Sequence, residues 1–171
     1  MSSSRLTSAF FQQDVLDVAP ALLGQNLVIL SNGLKLTYLI TETEAYRGED
    51  DLACHASKGK TERNHIMYAL GGYVYVYLVY GMYWMLNFVT GNENDPQAVL
   101  IRGIEGFNGP GKLTKQLDIN KTFYGEDLAV SERIWVEASG KSERFITAPR
   151  VGIDYAGDYW KNVKWRFIRT D

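Results

Sequence analysis

Short alternating segments joined by tight turns dominate this sequence, and they constrain its fold more than any other feature. Segments 26–30 and 35–46 flank a Ser-Asn-Gly turn, which is a strong hairpin signal. Segments 73–79 and 83–89 flank the turn Tyr80-Gly81-Met82 and predict a second hairpin. Because strands joined by such turns pair with each other, we expect the core to be built on a sheet.

Three helices are predicted beside these strands. Apolar residues at helical spacing cover 12–23, and Gly24 follows as a stop signal. Pro20 would kink this helix or move its start to about Asp17. The other two are a short helix over 64–70, capped by Asn64 and stopped by Gly71, and a helix from Pro110 to about Leu117.

Further strands outnumber the helices. They cover 98–104, 134–137, 145–153 and 165–169. A chain of 171 residues fits one domain with a single substantial core. The pattern predicts an α+β fold with one domain over 1–171, a curved, mostly antiparallel β-sheet core, a projecting β-hairpin and flanking helices.

The composition limits the kinds of site this chain can carry. Cys54 is the single cysteine, so no intrachain disulfide can form. One cysteine and two histidines are too few for a Cys/His zinc cage, and no CxxC or HExxH motif occurs. These counts leave a carboxylate-only magnesium site open. No signal-peptide core or membrane-length apolar stretch is found, so we expect a soluble cytoplasmic protein with no membrane contact.

The charge is unevenly distributed along the chain. The net charge of −2 argues weakly against a protein that binds polyanions. Residues 1–53 carry three Lys/Arg and seven Asp/Glu, for a net charge of −4. Residues 54–121 carry seven against five, for +2, and residues 122–171 carry eight of each. A basic face outside the first third of the chain therefore remains possible.

Two carboxylates end one row of the strand predicted at 35–46. Side chains alternate along a strand, so Glu42, Glu44 and Tyr46 share its more apolar face. Glu44 and Tyr46 lie two strand rises apart, roughly 7 Å. A carboxylate there should be partly desolvated, with a perturbed pKa. The alternative is that both carboxylates simply emerge from the sheet into solvent.

Tyrosines are unusually dense in the segment that begins at Tyr73. Tyr73, Tyr75 and Tyr77 share one face, where they either pack in the core or offer flat surfaces to a planar ligand. Tyr80 is different, because it precedes Gly81 at a turn where a large aromatic gains little from the core. An exposed aromatic at a hairpin tip suits insertion into a partner.

Three other features carry weaker signals. His55 precedes a run of basic residues that ends at Arg63, which weakly suggests nucleic acid, although a lone loop histidine is usually a surface residue. The sequence GPGKL at 109–113 resembles a phosphate-contact loop that opens a helix, but it is not a P-loop. Arg102 lies on an apolar row and needs an anionic partner, for which Glu44 is a candidate, in a structural or a functional pair.

Together these stretches resemble one family, the alkyladenine (3-methyladenine, or methylpurine) DNA glycosylases of the type without a helix-hairpin-helix. The resemblance covers almost the whole chain in family order, and the pair TEAY and YVYLVYGMY is highly specific. The matching stretches are 42–46 (ETEAY), His55, 63–64 (RN), 75–83 (YVYLVYGMY), Asn87, 99–102 (VLIR), 109–113 (GPGKL) and 150–152 (RVG).

The resemblance implies a role for each matching residue. Glu44 would be the general base that activates the attacking water, and Arg102 with the backbone carbonyl of Val151 would position that water. Tyr80 would wedge into the gap left in the duplex, while Asn87 would form a floor that disfavours the amino group of guanine. The walls that sandwich the extruded base would be Tyr46, His55 and Tyr77. The residues that contact DNA near the lesion would be Met82, Tyr83, Arg63 and Lys112, whereas Tyr73 and Tyr75 would only pack.

The implied activity is that of a monofunctional DNA glycosylase with no metal, no cofactor and no lyase lysine. A monomer would flip damaged purines out of double-stranded DNA and hydrolyse the N-glycosidic bond, which starts base excision repair. The implied substrates are 3-methyladenine and other alkylpurines, with hypoxanthine and ethenoadenine as further candidates. Two alternatives stay open: a non-catalytic binder of damaged or single-stranded nucleic acid, and a carboxylate-based hydrolase of free nucleosides.

Overall fold

The computed structural model describes residues 4–140 and 144–171, and it confirms the α+β class. In these ranges the α-helices are α1 (Ser8–Phe11), α2 (Val15–Ala21), α3 (Pro110–Gln116) and α4 (Gly157–Asn162). The strands are β1 (Asn26–Ser31), β2 (Leu34–Arg47), β3 (Val74–Val79), β4 (Tyr83–Thr90), β5 (Gln97–Ile104), β6 (Phe107–Asn108), β7 (Ile134–Glu137), β8 (Phe145–Ala148) and β9 (Arg166–Arg169). Single 3₁₀ turns cover His55–Lys58, His65–Tyr68, Lys121–Phe123 and Asp154–Ala156.

The strands form one sheet with β2 near its middle. The main path runs β3-β4-β5-β2-β1-β7, while β6 pairs with β5, β9 pairs with β2, and β8 pairs with β9. All of these pairings are antiparallel. Both predicted hairpins form, as β1–β2 and β3–β4. The prediction of a mostly antiparallel sheet is confirmed.

The long strand β2 changes partners halfway along its length. From Leu34 to Leu39 it pairs with β1, and from Ile40 to Arg47 it pairs with β5. Its register against β5 shifts twice between Ile40 and Thr43: Thr41 on β2 and Arg102 on β5 are each left unpaired, so each strand carries one extra, bulged residue. A bulge adds one residue to one strand, bends that strand and increases the local twist. We therefore expect β2 to bend in its middle.

The bulge also exchanges the two faces of β2. Before it, Tyr38 and Ile40 pack on the main hydrophobic core. After it, Ala45 lies in that core, and the Thr43 hydroxyl donates to the Ala19 carbonyl at 2.8 Å. Glu44 therefore faces the opposite side of the sheet. The predicted continuous row along one face of 35–46 is wrong, because one extra residue inverts the alternation that follows.

Helices α1, α2 and α3 pack their apolar residues into the same core as Ala45. The helix predicted over 12–23 spans only Val15–Ala21, and the carboxylate of Asp14 caps it by accepting from the Leu16 N–H at 2.9 Å. Pro20 lies inside its last turn, so the proposed later start at Asp17 is wrong. In residues 4–140 and 144–171, no helix combines the length and apolarity needed to cross a bilayer.

Two other predicted elements differ from the structure. The strand predicted over 145–153 ends at Ala148, because Pro149 follows and cannot donate to a ladder. The 64–70 segment forms only the turn His65–Tyr68, and the Asn64 side chain does not cap it. Instead, Asn64 accepts from the Thr61 N–H at 2.7 Å and donates to the His55 carbonyl at 3.2 Å, which fastens the loop that carries His55.

Candidate active site

A cleft of about 490 Å³ opens on the face of the sheet opposite the main core. Part of its lining is a row of directly opposed residues across four strands. Tyr75 on β3 pairs with Asn87 on β4, and Asn87 pairs with Leu100 on β5. Leu100 in turn pairs with Glu44 on β2. Because directly opposed residues share a face, strand register alone brings these four side chains into one cleft.

Glu44 is the buried carboxylate of this cleft. Its side chain has no solvent-exposed area. The Tyr46 hydroxyl donates to Oε1 at 2.8 Å, and the Val151 backbone N–H donates to Oε2 at 2.7 Å. Burial raises the pKa of Glu44, while Arg102 and these two donors oppose the rise. The alternative that Glu44 emerges into solvent is wrong, and a carboxyl with a raised pKa suits general-base chemistry.

Arg102 supplies positive charge beside Glu44 but shares it with a second carboxylate. One guanidinium nitrogen of Arg102 lies 3.8 Å from Glu44 Oε1, while its Nε donates to Glu42 Oε1 at 3.3 Å. Arg166 also donates to Glu42 Oε1, at 2.9 Å. The predicted pairing of Arg102 with Glu44 is present, but Glu42 is the closer partner. Glu44 therefore faces a cation whose charge is partly compensated elsewhere.

The predicted base-stacking residues all line this cleft, as Tyr46, His55 and Tyr77. The ring centroids of His55 and Tyr77 lie 4.4 Å apart, with the planes at 68°. Burial lowers the pKa of His55 to about 4, so its imidazole is neutral near pH 7. The alternative of a free surface histidine is wrong, because the ring forms a wall of the cleft.

Tyr75 plays a part in this wall that the sequence did not indicate. Tyr75 is buried as expected, but its hydroxyl lies 2.8 Å from His55 Nδ1 and fixes the plane of that ring. Cys54, next to His55, is buried, and burial raises the pKa of its thiol to about 12. A thiol that stays protonated is a poor nucleophile, so Cys54 acts as a small apolar residue.

Asn87 and Val151 make backbone contacts that the sequence did not specify. Asn87 is buried, and its Nδ2 donates to the carbonyls of Tyr75 at 3.2 Å and Met85 at 3.4 Å. Val151 contacts Glu44 through its N–H. The role predicted for the Val151 carbonyl, which is to position water, stays a prediction. The Val151 N–H has a different role, because its hydrogen bond holds the Glu44 carboxylate in place.

The tip of the β3–β4 hairpin presents Tyr80 to solvent. Tyr80 is 88% exposed, and its backbone has φ 55°, followed by Gly81 at φ 67°. The Met82 N–H donates to the Val79 carbonyl at 3.1 Å, which closes a tight turn within the three-residue loop Tyr80-Gly81-Met82. A large side chain at positive φ is strained, and such strain tends to occur at functional positions.

The residues predicted to contact DNA cluster near this tip and the cleft mouth. Met82 and Tyr83 are exposed, and Lys112 is exposed on the neighbouring α3. A Cβ at Gly111 would lie 2.8 Å from the Tyr83 ring, so glycine allows this close packing. Arg63 lines the cleft mouth, with its guanidinium carbon 5.1 Å from the Tyr77 ring centroid.

Three residues of the site carried little sequence signal. Tyr155 lines the cleft, and its hydroxyl donates to the Ala53 carbonyl at 3.1 Å. Asp51 and Arg150 form a fully buried ion pair at 2.6 Å behind the cleft. The stretch RVG at 150–152 could have drawn attention to Arg150, but no pattern linked it to an aspartate 99 residues earlier.

Comparison with known proteins identifies the family of this chain. The family model described as "Methylpurine-DNA glycosylase (MPG)" matches residues 9–108 and 105–171. A relative from Borrelia garinii subsp. bavariensis, named "Putative 3-methyladenine DNA glycosylase", is 42% identical to this chain. The aligned region covers 95% of this chain and 94% of the relative's length. Relatives of the same name from Desulfitobacterium hafniense and Natranaerobius thermophilus are 42% and 39% identical, and each covers 98% of this chain and 96% of its own. This chain belongs to the methylpurine-DNA glycosylase family.

Proposed function

We propose that this protein is a monofunctional DNA glycosylase that hydrolyses the N-glycosidic bond of damaged purines in duplex DNA, the first step of base excision repair. The observation that carries the proposal is the buried carboxylate of Glu44 in a cleft walled by Tyr46, His55 and Tyr77. Family membership supports the reaction class. In this proposal residues 1–171 act as one glycosylase domain, as a monomer, without a metal or cofactor.

The cleft suits a base that has left the helical stack. Extruding a nucleotide costs a few kcal/mol, and less when the base is damaged or mispaired. Stacking on an aromatic side chain returns about 1–3 kcal/mol per base. Tyr80 would fill the gap left in the duplex. Asn87, on the floor of the cleft, would disfavour the amino group of guanine, and so would discriminate against an intact base.

Glu44 would act as the general base once the base lies in the cleft. The water oxygen attacks the anomeric carbon of the sugar, Glu44 accepts a proton from that water, and the electron pair of the glycosidic bond leaves with the purine. Arg102 and the Val151 carbonyl would position the water. The negative charge of Glu44 also stabilises the oxocarbenium-like sugar as the bond breaks.

The aromatic walls favour alkylated, cationic purines as the main substrates. A base such as 3-methyladenine carries a positive charge, which the faces of Tyr46 and Tyr77 attract. The same charge makes the base a good leaving group. Neutral hypoxanthine and ethenoadenine need protonation as they leave, so we place them second. Among the described residues that line the cleft, none is a lysine, which supports an enzyme without Schiff-base lyase chemistry.

The function is tested with a panel of lesions and the wild-type protein. Methylated duplex DNA and duplex oligonucleotides that contain hypoxanthine or ethenoadenine are incubated with enzyme, and released bases are measured. We expect release of 3-methyladenine and abasic sites that break only after alkali treatment. Binding without release from any lesion would favour the non-catalytic binder. Release from free nucleosides at comparable rates would favour the nucleoside hydrolase.

The proposed wedge is tested separately at the hairpin tip. Tyr80→Ser removes an exposed ring, so we expect the free energy of unfolding to change by no more than about 0.5 kcal/mol. Excision from duplex DNA should fall, because nothing fills the gap left by the base. Tyr159→Ser is the matched control, since Tyr159 is 71% exposed and lies outside the lining of the cleft. Equal excision by both variants would remove Tyr80 from the mechanism.

A further inference from the structure

A fully buried ion pair lies directly behind the candidate active site. Two guanidinium nitrogens of Arg150 donate to the two carboxylate oxygens of Asp51, at 2.6 and 2.9 Å. Neither side chain has any solvent-exposed area. This bidentate geometry fixes both partners in orientation as well as in distance.

Asp51 ties two further segments to this pair. Its Oδ2 accepts from the Arg47 N–H at 3.0 Å, at the end of the strand that carries Glu44. Its Oδ1 accepts from the Ala53 N–H at 3.0 Å, in the loop that leads to His55. One carboxylate therefore fixes where β2 ends and where the loop with the His55 wall begins.

Arg150 contacts the part of β2 that carries Glu44 and Tyr46. It donates to the Ala45 carbonyl at 2.9 Å, between the two cleft residues of β2. Its guanidinium carbon lies 4.9 Å from the centroid of the Tyr46 ring. The next residue is Val151, whose N–H holds Glu44 Oε2 at 2.7 Å. Anchoring Arg150 therefore anchors the amide that orients the carboxylate.

The stability of the fold does not by itself explain why this buried pair is ionic. Well-packed apolar residues in place of a buried ion pair are often neutral or stabilising. Arg150 also has an Nε that is buried and makes no hydrogen bond within the described residues, which adds a desolvation cost. Apart from a long bond of 3.5 Å from Arg150 to the Trp160 carbonyl, the hydrogen bonds of the pair lead to segments that carry cleft residues.

We propose that Asp51 and Arg150 are positioning residues for base excision: their ion pair holds Glu44, Tyr46 and the His55 loop in the reactive arrangement. Neither side chain lines the cleft, so both act through other residues. The inference rests on the proposed glycosylase activity and adds two residues to its machinery. A shift of about 1 Å in a reacting group costs up to roughly 100-fold in rate, which sets the effect to expect.

The test compares two ways of breaking the pair. Asp51→Leu with Arg150→Met replaces the ions by apolar residues and leaves no unpaired buried charge. The Arg47 and Ala53 N–H groups lose their acceptor, so the unfolding midpoint should fall, but by less than when one partner alone is removed. Arg150→Lys keeps the charge but loses the fork that reaches both Asp51 and Ala45. For both we expect the single-turnover excision rate at saturating enzyme to fall on the order of 100-fold. Lesion binding should weaken much less than the excision rate falls, because Tyr80 is untouched and base stacking tolerates a small shift of the walls better than bond breaking does.

Arg133→Lys is the matched control, since Arg133 donates to Glu126 at 2.9 Å in an ion pair outside the cleft lining. If the double variant does not fold, Arg150→Lys carries the test. Wild-type excision rates in folded Arg150→Lys would overturn the positioning role while leaving the proposed function intact. No excision by the wild type on the lesion panel would overturn the proposed function, and the positioning role with it.

Discussion

Two carboxylates, seven residues apart in sequence, are both withdrawn from solvent and yet are partnered in different ways. Asp51 faces a bidentate guanidinium and two backbone N–H groups, so its charge is fully compensated. Glu44 receives two hydrogen bonds from neutral donors, while its nearest cation lies 3.8 Å away and is shared with Glu42. One group has a complete counter-charge and the other has only part of one.

The difference indicates which carboxylate can do chemistry. The four hydrogen bonds to Asp51 occupy both carboxylate oxygens and leave no lone pair for a water molecule. Glu44 keeps lone pairs free beyond its two donors, and burial raises its pKa toward the range where a base works at neutral pH. Incomplete compensation is therefore the property that we associate with catalysis here, and complete compensation with support.

The strongest test of this comparison is Glu44→Gln. The amide keeps the size of the side chain but cannot take the proton, so excision should fall by roughly 10²–10⁴-fold. Lesion binding should persist, because the aromatic walls are unchanged. Glu105→Gln, an exposed carboxylate in the turn between β5 and β6, is the control. Full activity of Glu44→Gln in a single-turnover excision assay would show that Glu44 is not the base.

Asp51→Asn should mainly lower the free energy of unfolding. It leaves the Arg150 guanidinium buried without a counter-charge, which costs about 3–5 kcal/mol in the free energy of unfolding. Chemical denaturation of this variant and of Glu44→Gln measures the contrast directly. We expect a large loss only for Asp51→Asn. Equal stability of the two variants would mean that the environments of the two carboxylates differ less than their partners suggest.

The pH dependence of excision and of stability should both reflect the ionisation of Glu44. Ionised Glu44 is the active form, and burial raises its pKa, so excision should decline with falling pH at values above those typical of an exposed glutamate. A raised pKa in the folded state also means that Glu44 stabilises the fold when protonated, and this contribution is lost as pH rises through the folded pKa. Glu44→Gln should therefore gain stability relative to wild type at pH 7–8 and lose that advantage toward pH 4. Parallel pH profiles of stability for the two proteins would contradict this.

Tyr46→Phe should have the smallest effect of the four changes considered for this comparison. The change keeps the wall of the cleft but removes one hydrogen bond to Glu44, and a bond to a charged group is worth about 1.5–3 kcal/mol. We expect excision at neutral pH to fall about tenfold and its acid limb to move to higher pH, because the ionised form of Glu44 loses a donor. An unchanged acid limb in kcat against pH would show that the hydroxyl does not tune Glu44.

The sequence predicted most of the local structure correctly. Alternation and turn residues placed the strands of both hairpins, and Pro110 placed the start of α3. Elements missed, such as α1 and β6, are too short for periodicity to show. The strand order was not predictable, because antiparallel neighbours in space need not be neighbours in sequence, as when β2 joins β5 and β9.

The errors at the site come from long-range contacts. The bulge in β2 depends on pairing with β5, so strict alternation assigned the residues beyond it to the wrong face. His55 was open to a surface reading because Tyr75, which holds its ring, lies on another element. No sequence pattern singled out Asp51, because its partner Arg150 is distant along the chain.

The sequence by itself determined which segments form strands, where the hairpins turn and which residues carry the family pattern. These properties follow from the identities of neighbouring residues. The tertiary structure alone decided that Glu44 is buried with a raised pKa, that Arg102 divides its charge between two carboxylates, and that Asp51 is neutralised by Arg150. The physical reason is that desolvation and Coulomb interactions depend on distances in space, which strand register and loop closure set only when the whole chain has folded.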